Sequence, residues 1–138
     1  MFKRLLCMFL FAIFIMGIWT MNVQPIFKDY GNVYQVFLNE SSSLAKVVSV
    51  DRAGFRKLKG IKGESCKVNA NNFNLNEFLL DYSASVIFIE EIEEGVSYYA
   101  YSPKINYREE IFGETINLHV FVGKNQVTMG TPIIYGSF

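Results

Sequence analysis

Seventeen residues without a charge, Leu5 to Met21, follow the basic start Met1-Phe2-Lys3-Arg4. As a helix rising 1.5 Å per residue, the run covers about 25 Å, a little short of the ~30 Å hydrocarbon core of a bilayer. Bilayer thinning or snorkelling of flanking residues takes up that difference. The run is apolar all round rather than along one stripe, which argues against a core helix. Trp19 stands near its end, where interfacial aromatics collect. Residues 1–21 are therefore expected to be a transmembrane anchor or a signal segment. Cleavage calls for small residues after the apolar run, and Ile18-Trp19-Thr20-Met21-Asn22-Val23 offers nothing like Ala-x-Ala, so retention is favoured over secretion after cleavage. Cys7 comes too early in the run to be a lipid-modified cysteine. Lys3 and Arg4 place the N-terminus inside and the rest of the chain outside the cell membrane, in a single pass.

What remains has the size of one domain. Residues 22–32, with Pro25 and Asp29-Tyr30-Gly31-Asn32, read as a tether, and residues 33–138 as a single extracytoplasmic domain. Its aromatic content (13 Phe, 8 Tyr and 1 Trp in the whole chain) is that of a folded protein. The leader takes two of the 13 basic residues, leaving 11 against 13 acidic ones, so no basic excess argues for nucleic acid. Cys66 is the domain's one cysteine, which rules out a disulfide framework and a multi-cysteine metal site.

Along the domain, Val33–Leu38 fits a helix or a strand. The segment 39–43 is a polar break, and 44–50 is a β-branched strand. Asp51-Arg52-Ala53-Gly54 reads as a turn, followed by two short antiparallel pieces, 55–59 and 61–68. The best helix is 73–82: Leu75, Phe78, Leu79 and Tyr82 form a stripe, and Asn72 or Asn74 can cap it. Strands follow over 84–93 and 96–102, joined by a hairpin at Glu94-Gly95, then a charged loop over 103–113. Residues 116–122 alternate, with Ile116, Leu118, Val120 and Val122 on one face and Asn117, His119 and Phe121 on the other. Residues 127–129 make a last short strand. The pattern predicts an α+β fold: an N-terminal hydrophobic helix plus one antiparallel sheet domain with a single helix packed on one face.

A sheet covered on one face leaves the other open. That face carries Tyr99 and Tyr101 beside His119 and Phe121, an aromatic surface for sugars, peptides or a partner unless the N-terminal strands or a loop cover it as core. A second candidate is the run 51–67, where Arg52, Arg56, Lys57, Lys59, Lys62 and Lys67 face only Asp51 and Glu64, a local net of +4. Such a strip attracts anionic headgroups or wall polymers, unless it pairs with the acidic stretch 77–94. Glu90, Glu91, Glu93 and Glu94, near Asp81 and Glu77, lack calcium-loop spacing and read as a solvated edge. Cys66 and His119 could form a nucleophilic pair, but nothing local activates Cys66. Gly60-Ile61-Lys62-Gly63 imitates an RNA-binding GxxG loop without the two flanking helices, and Asn39-Glu40-Ser41 fits a glycosylation sequon.

Three C-terminal stretches, Ser97-Tyr98-Tyr99-Ala100-Tyr101-Ser102-Pro103, Ile116-Asn117-Leu118-His119-Val120 and Gly130-Thr131-Pro132-Ile133-Ile134-Tyr135-Gly136-Ser137-Phe138, resemble YwmB-type proteins of spore-forming Gram-positive bacteria. Those are exported or anchored proteins whose curved sheet is likened to the TATA-box-binding fold. The resemblance covers the carboxyl-terminal half of the chain. It implies location and fold but no activity, and DNA binding does not follow from a fold name. The expected function is that of an anchored, non-catalytic binding or accessory module for a protein or envelope polymer, without cofactor or metal. The alternative is a cell-envelope hydrolase using Cys66, His119 or a Glu.

Overall fold

The computed structural model describes residues 2–20, 23–38 and 46–135, with side chains described over 3–16, 23–38 and 46–135. The polar break, the sequon at Asn39, the first residues of the second strand, the Trp19 side chain and the last three residues lie outside the described set. Helix α1 spans Phe2–Thr20, and every described side chain in it, Lys3 to Met16, is exposed. Among the described residues no helix is long and apolar enough to cross a membrane.

The domain is α+β and is built on one antiparallel sheet of seven strands. These are β1 (Val33–Leu38), β2 (Lys46–Asp51), β3 (Ile61–Asn69), β4 (Ser85–Ile92), β5 (Gly95–Tyr101), β8 (Leu118–Gly123) and β9 (Gln126–Thr131). Their order is β2-β1-β3-β9-β8-β5-β4. A separate hairpin joins β6 (Glu109–Ile111) to β7 (Glu114–Ile116). Val33–Leu38 is thus a strand, and it lies between β2 and β3.

Side chains opposed across antiparallel strands share a face. One face carries Tyr34, Cys66, Met129, Val120 and Tyr98 in a row across five strands. Helix α3 (Leu75–Asp81) packs there through buried Phe78, with Leu75, Leu79 and Tyr82 against the same core. Asn74 is its cap, accepting the N–H groups of Asn76 and Glu77 at 3.0 and 3.3 Å.

The segment 22–32 is not a tether where it is described. Ile26, Phe27 and Tyr30 all pack against the core, and Phe27 is fully buried among Phe78 and Tyr82. Tyr82 donates its hydroxyl to Ile26 O at 2.7 Å, and Tyr30 donates its own to Asp81. Burying these rings outweighs the mobility suggested by the turn-forming residues beside them. The core is therefore covered by α3 and by this segment together.

Two strand expectations also change. Residues 55–59 are not a strand: Asp51 caps the single-turn helix α2 (Arg52–Phe55), accepting Gly54 N–H at 2.7 Å. Lys57 and Leu58 continue the turn, donating to Gly54 O and Phe55 O at 3.1 Å. Residues 116–122 are broken at Asn117, which is fully buried. Its amide accepts Ser102 N–H at 2.7 Å and donates to Ser102 O at 2.7 Å and Ile105 O at 2.9 Å. That exchange ties the 102–105 turn to the sheet, and Thr131 Oγ1 adds a bond to Asn117 O at 2.7 Å.

Candidate functional site

The basic strip owes its exposure to one apolar anchor. Phe55 is buried, edge-on to Tyr34 with ring centroids 6.0 Å apart. Leu58 packs against the same cluster. Holding Phe55 and Leu58 inward turns Arg56, Lys57 and Lys59 outward, and all three are exposed. Gly60, at φ 69°, supplies the left-handed residue that lets the chain enter β3, where Lys62 is exposed too. The α2–β3 connection starts beside Asp51 at one end of β2. It ends at Ile61, opposite Leu38, whose other neighbour Lys46 begins β2. The connection thus runs past β1 from the end of β2 to the start of β3, with Arg56, Lys57 and Lys59 on it and Lys62 on β3. Arg52 is committed elsewhere, its Nη2 donating to Lys28 O at 2.6 Å. Among the described residues, Arg56, Lys57, Lys59 and Lys62 form no ion pair.

The expected pairing of this strip with 77–94 does not occur. Glu90 and Glu91 stand on β4, at the opposite end of the strand order from β2. The strip ends on β3, and with strands about 4.8 Å apart the four spacings from β3 to β4 amount to about 19 Å. Glu90 accepts the Tyr99 hydroxyl at 3.2 Å, and Asp81 accepts that of Tyr30.

The aromatic face is formed, but it is not the open surface expected. His119, Tyr99 and Phe88 share register across β8, β5 and β4 and stack in sequence. The Tyr99–His119 centroids are 4.2 Å apart with planes 17° apart, and Phe88–Tyr99 are 4.4 Å and 20° apart. His119 and Phe121 are buried, at 2% and 5% exposure, whereas Tyr99 and Tyr101 are half-buried. The C-terminal segment accounts for part of this cover. Ile134 donates its N–H to His119 Nδ1 at 3.2 Å, and Tyr135 meets Phe37 edge-on at 4.5 Å. At the open end of the stack Phe112, 92% exposed, approaches Phe88 at 5.9 Å. Phe112 and Gly113 turn the β6–β7 hairpin with φ of 53° and 80°. No apolar periodicity marks Phe112, so sequence reasoning missed it.

Cys66 and His119 do not meet. Cys66 pairs across with Met129 and His119 with Gly130, which puts them on opposite faces of the sheet. Burial pushes the Cys66 thiol up to about 11 and the His119 imidazole down to about 4, so neither is poised to exchange a proton near neutrality. The four glutamates of 90–94 are exposed, and among the described residues no group of three or more His, Cys, Asp or Glu converges on a metal position.

Sequence reasoning also passed over Glu64. Its carboxyl is 1% exposed on the helix-covered face, and Oε1 accepts Phe27 N–H at 3.2 Å. Oε2 is buried without a hydrogen-bond partner among the described residues. Burial raises its pKa to about 7, opposed by the N–H bonds from Phe27 and Ile26. In the sequence, Glu64 looks like one acid among many cations.

No family model matches this chain, and neither do the curated proteins or the solved structures searched.

Proposed function

We propose that this chain is a membrane-anchored, extracytoplasmic binding module that engages an anionic protein or envelope polymer through Arg56, Lys57, Lys59 and Lys62. The observation that carries the reading is a run of exposed cations that no carboxylate answers among the described residues. These four cations are exposed and make no ion pair among the described residues, and Lys62, on β3, lies four strand spacings, about 19 Å, from β4, which carries Glu90 and Glu91. An array of unpaired cations held on a folded surface attracts a polyanion. Anchoring is supported by the uncharged run 5–21 and by the exposure of its described side chains. The resemblance to YwmB-type exported proteins agrees with that location.

Two measurements test this. Asn125→Cys lies on an exposed turn; labelling it with a membrane-impermeant maleimide in intact cells succeeds if the domain is outside and fails if it is inside. The full chain in phosphatidylcholine nanodiscs is then titrated with polyglycerol phosphate. Lys57→Glu with Lys59→Glu is expected to weaken binding at least tenfold at low salt. Equal binding by this variant removes the strip as the site.

A further inference from the structure

We propose that β4 takes up an extended, cationic segment of a partner protein, which pairs along its free edge and adds a strand to the sheet. The site is separate from the basic strip, and neither reading depends on the other.

Three observations converge on this edge. The first is its backbone. Among the described residues β4 pairs only with β5, and it stands last in the strand order. Its register is irregular between Val86 and Phe88, but Phe88 to Ile92 pairs without a break against Tyr99 to Gly95. Backbone groups of alternate residues in that stretch face away from β5, and such a row is the template for strand addition.

The second is apolar exposure. β4 leaves Val86, Ile87, Ile89 and Ile92 exposed, Ile89 at 55%. Beside them Phe112 stands in solvent and approaches the Phe88 ring at 5.9 Å. The φ of 53° at Phe112 is one that Asn, Asp or Gly adopts at less cost. A bulky ring is thus held outward at a turn position that disfavours it, next to a free edge. A strand laid along β4 buries this apolar surface.

The third is charge, which selects the occupant. The β4–β5 hairpin carries Glu90, Glu91, Glu93 and Glu94, all exposed, and no Lys or Arg. The β6–β7 hairpin adds Glu109, Glu110 and Glu114, again without Lys or Arg. Like charges opposed across strands are unfavourable and opposite ones favourable. Another β4 or an anionic surface is therefore turned away, and a strand bearing Lys or Arg is admitted. The order along the edge narrows this further. Phe88 and Ile89 precede Glu90 and Glu91, Ile92 follows, and neighbours point to opposite faces. The complementary segment has two adjacent cations flanked by apolar residues.

The probe is a fluorescent octapeptide, Thr-Ile-Val-Lys-Lys-Val-Ile-Thr, whose palindromic order sets its lysines against Glu90 and Glu91 in either strand direction. Titrated with the full chain in phosphatidylcholine nanodiscs, it is expected to bind saturably by fluorescence anisotropy. The same peptide with Glu for Lys should not bind. Methylating its four central backbone nitrogens keeps both lysines but removes strand bonds, and should weaken binding about tenfold or more. Glu90→Lys with Glu91→Lys should reverse the preference, taking the Glu peptide and refusing the Lys peptide, a swap that requires a folded edge. No binding by the native chain, equal binding of the methylated peptide, or an unswapped preference in the double variant overturns the proposal. Energy transfer between donor- and acceptor-labelled chains in separate nanodiscs, lost on adding the Lys peptide, makes a second copy the occupant and overturns a separate partner.

Discussion

Glu64 reaches out of the sheet to accept the backbone N–H of Phe27 at 3.2 Å, joining the segment before β1 to the middle of the core. The titratable groups facing it are Tyr34 from β1, Cys66 from β3 itself, Tyr82 beside α3 and Tyr107 from the loop before β6. None is a cation, so ionising Glu64 sets a charge in an uncompensated interior.

Stability should therefore fall as pH rises. The folded pKa of about 7 lies above the ordinary 4.5, so between those values the native chain holds a proton that the unfolded chain has released. The native state loses stability progressively across that window, by an amount on the order of 3 kcal/mol once pH exceeds 7. Glu64→Gln keeps an acceptor for Phe27 N–H and removes the charge. Denaturant titrations at pH 5 and pH 8 should show near-equal stability of variant and native chain at pH 5, and a more stable variant at pH 8. Equal pH slopes for the two proteins would count against this reading of Glu64.

Gly31 abuts Cys66. A Cβ at position 31 would lie 2.1 Å from Cys66 Sγ, closer than any side chain tolerates. Gly31→Ala should destabilise the chain by about 2 kcal/mol through overpacking. In Gly31→Ala with Cys66→Ala the clash disappears, so the double variant should be more stable than the summed single costs predict. Strict additivity in a double-mutant cycle would show that the two positions do not press on each other.

Asn117 makes three hydrogen bonds to the 102–105 turn from a fully buried position. Asn117→Ala orphans Ser102 N–H and two carbonyls at once, which should cost about 3 kcal/mol. Asn117→Asp keeps the acceptor and loses the donor, so it should fall below the native chain by more at pH 7 than at pH 4. Thermal melts of the three proteins at both pH values decide this.

Much of this architecture was legible in the residues. Asn74 and the stripe Leu75, Phe78, Leu79 and Tyr82 located α3, and Glu94-Gly95 located the β4–β5 hairpin, because local chemistry alone fixes caps and tight turns. The alternation from Leu118 to Val122 marked a strand, but period two does not tell whether both faces are covered. His119 and Phe121 are buried on the face that looked open, and Ile134, remote in sequence, helps to cover His119. The pairing of β3 with β9, Glu64 beside Thr131, spans too much sequence for any local pattern to signal. The burial of Phe27 was hidden by the turn-forming residues beside it. The basic strip was visible as composition. Its separation from Glu90 and Glu91 emerged only from the strand order.

The most direct test of the basic strip is the salt dependence of polyglycerol phosphate binding by the full chain. Each cation that displaces a counterion contributes roughly 0.7 to 0.9 to the slope of log K against log salt concentration. Replacing Lys57 and Lys59 by Gln should lower the magnitude of that slope by about 1.5 and weaken binding at low salt, with the folded spectrum unchanged. A slope and affinity equal to those of the native chain would contradict a binding role for the basic strip.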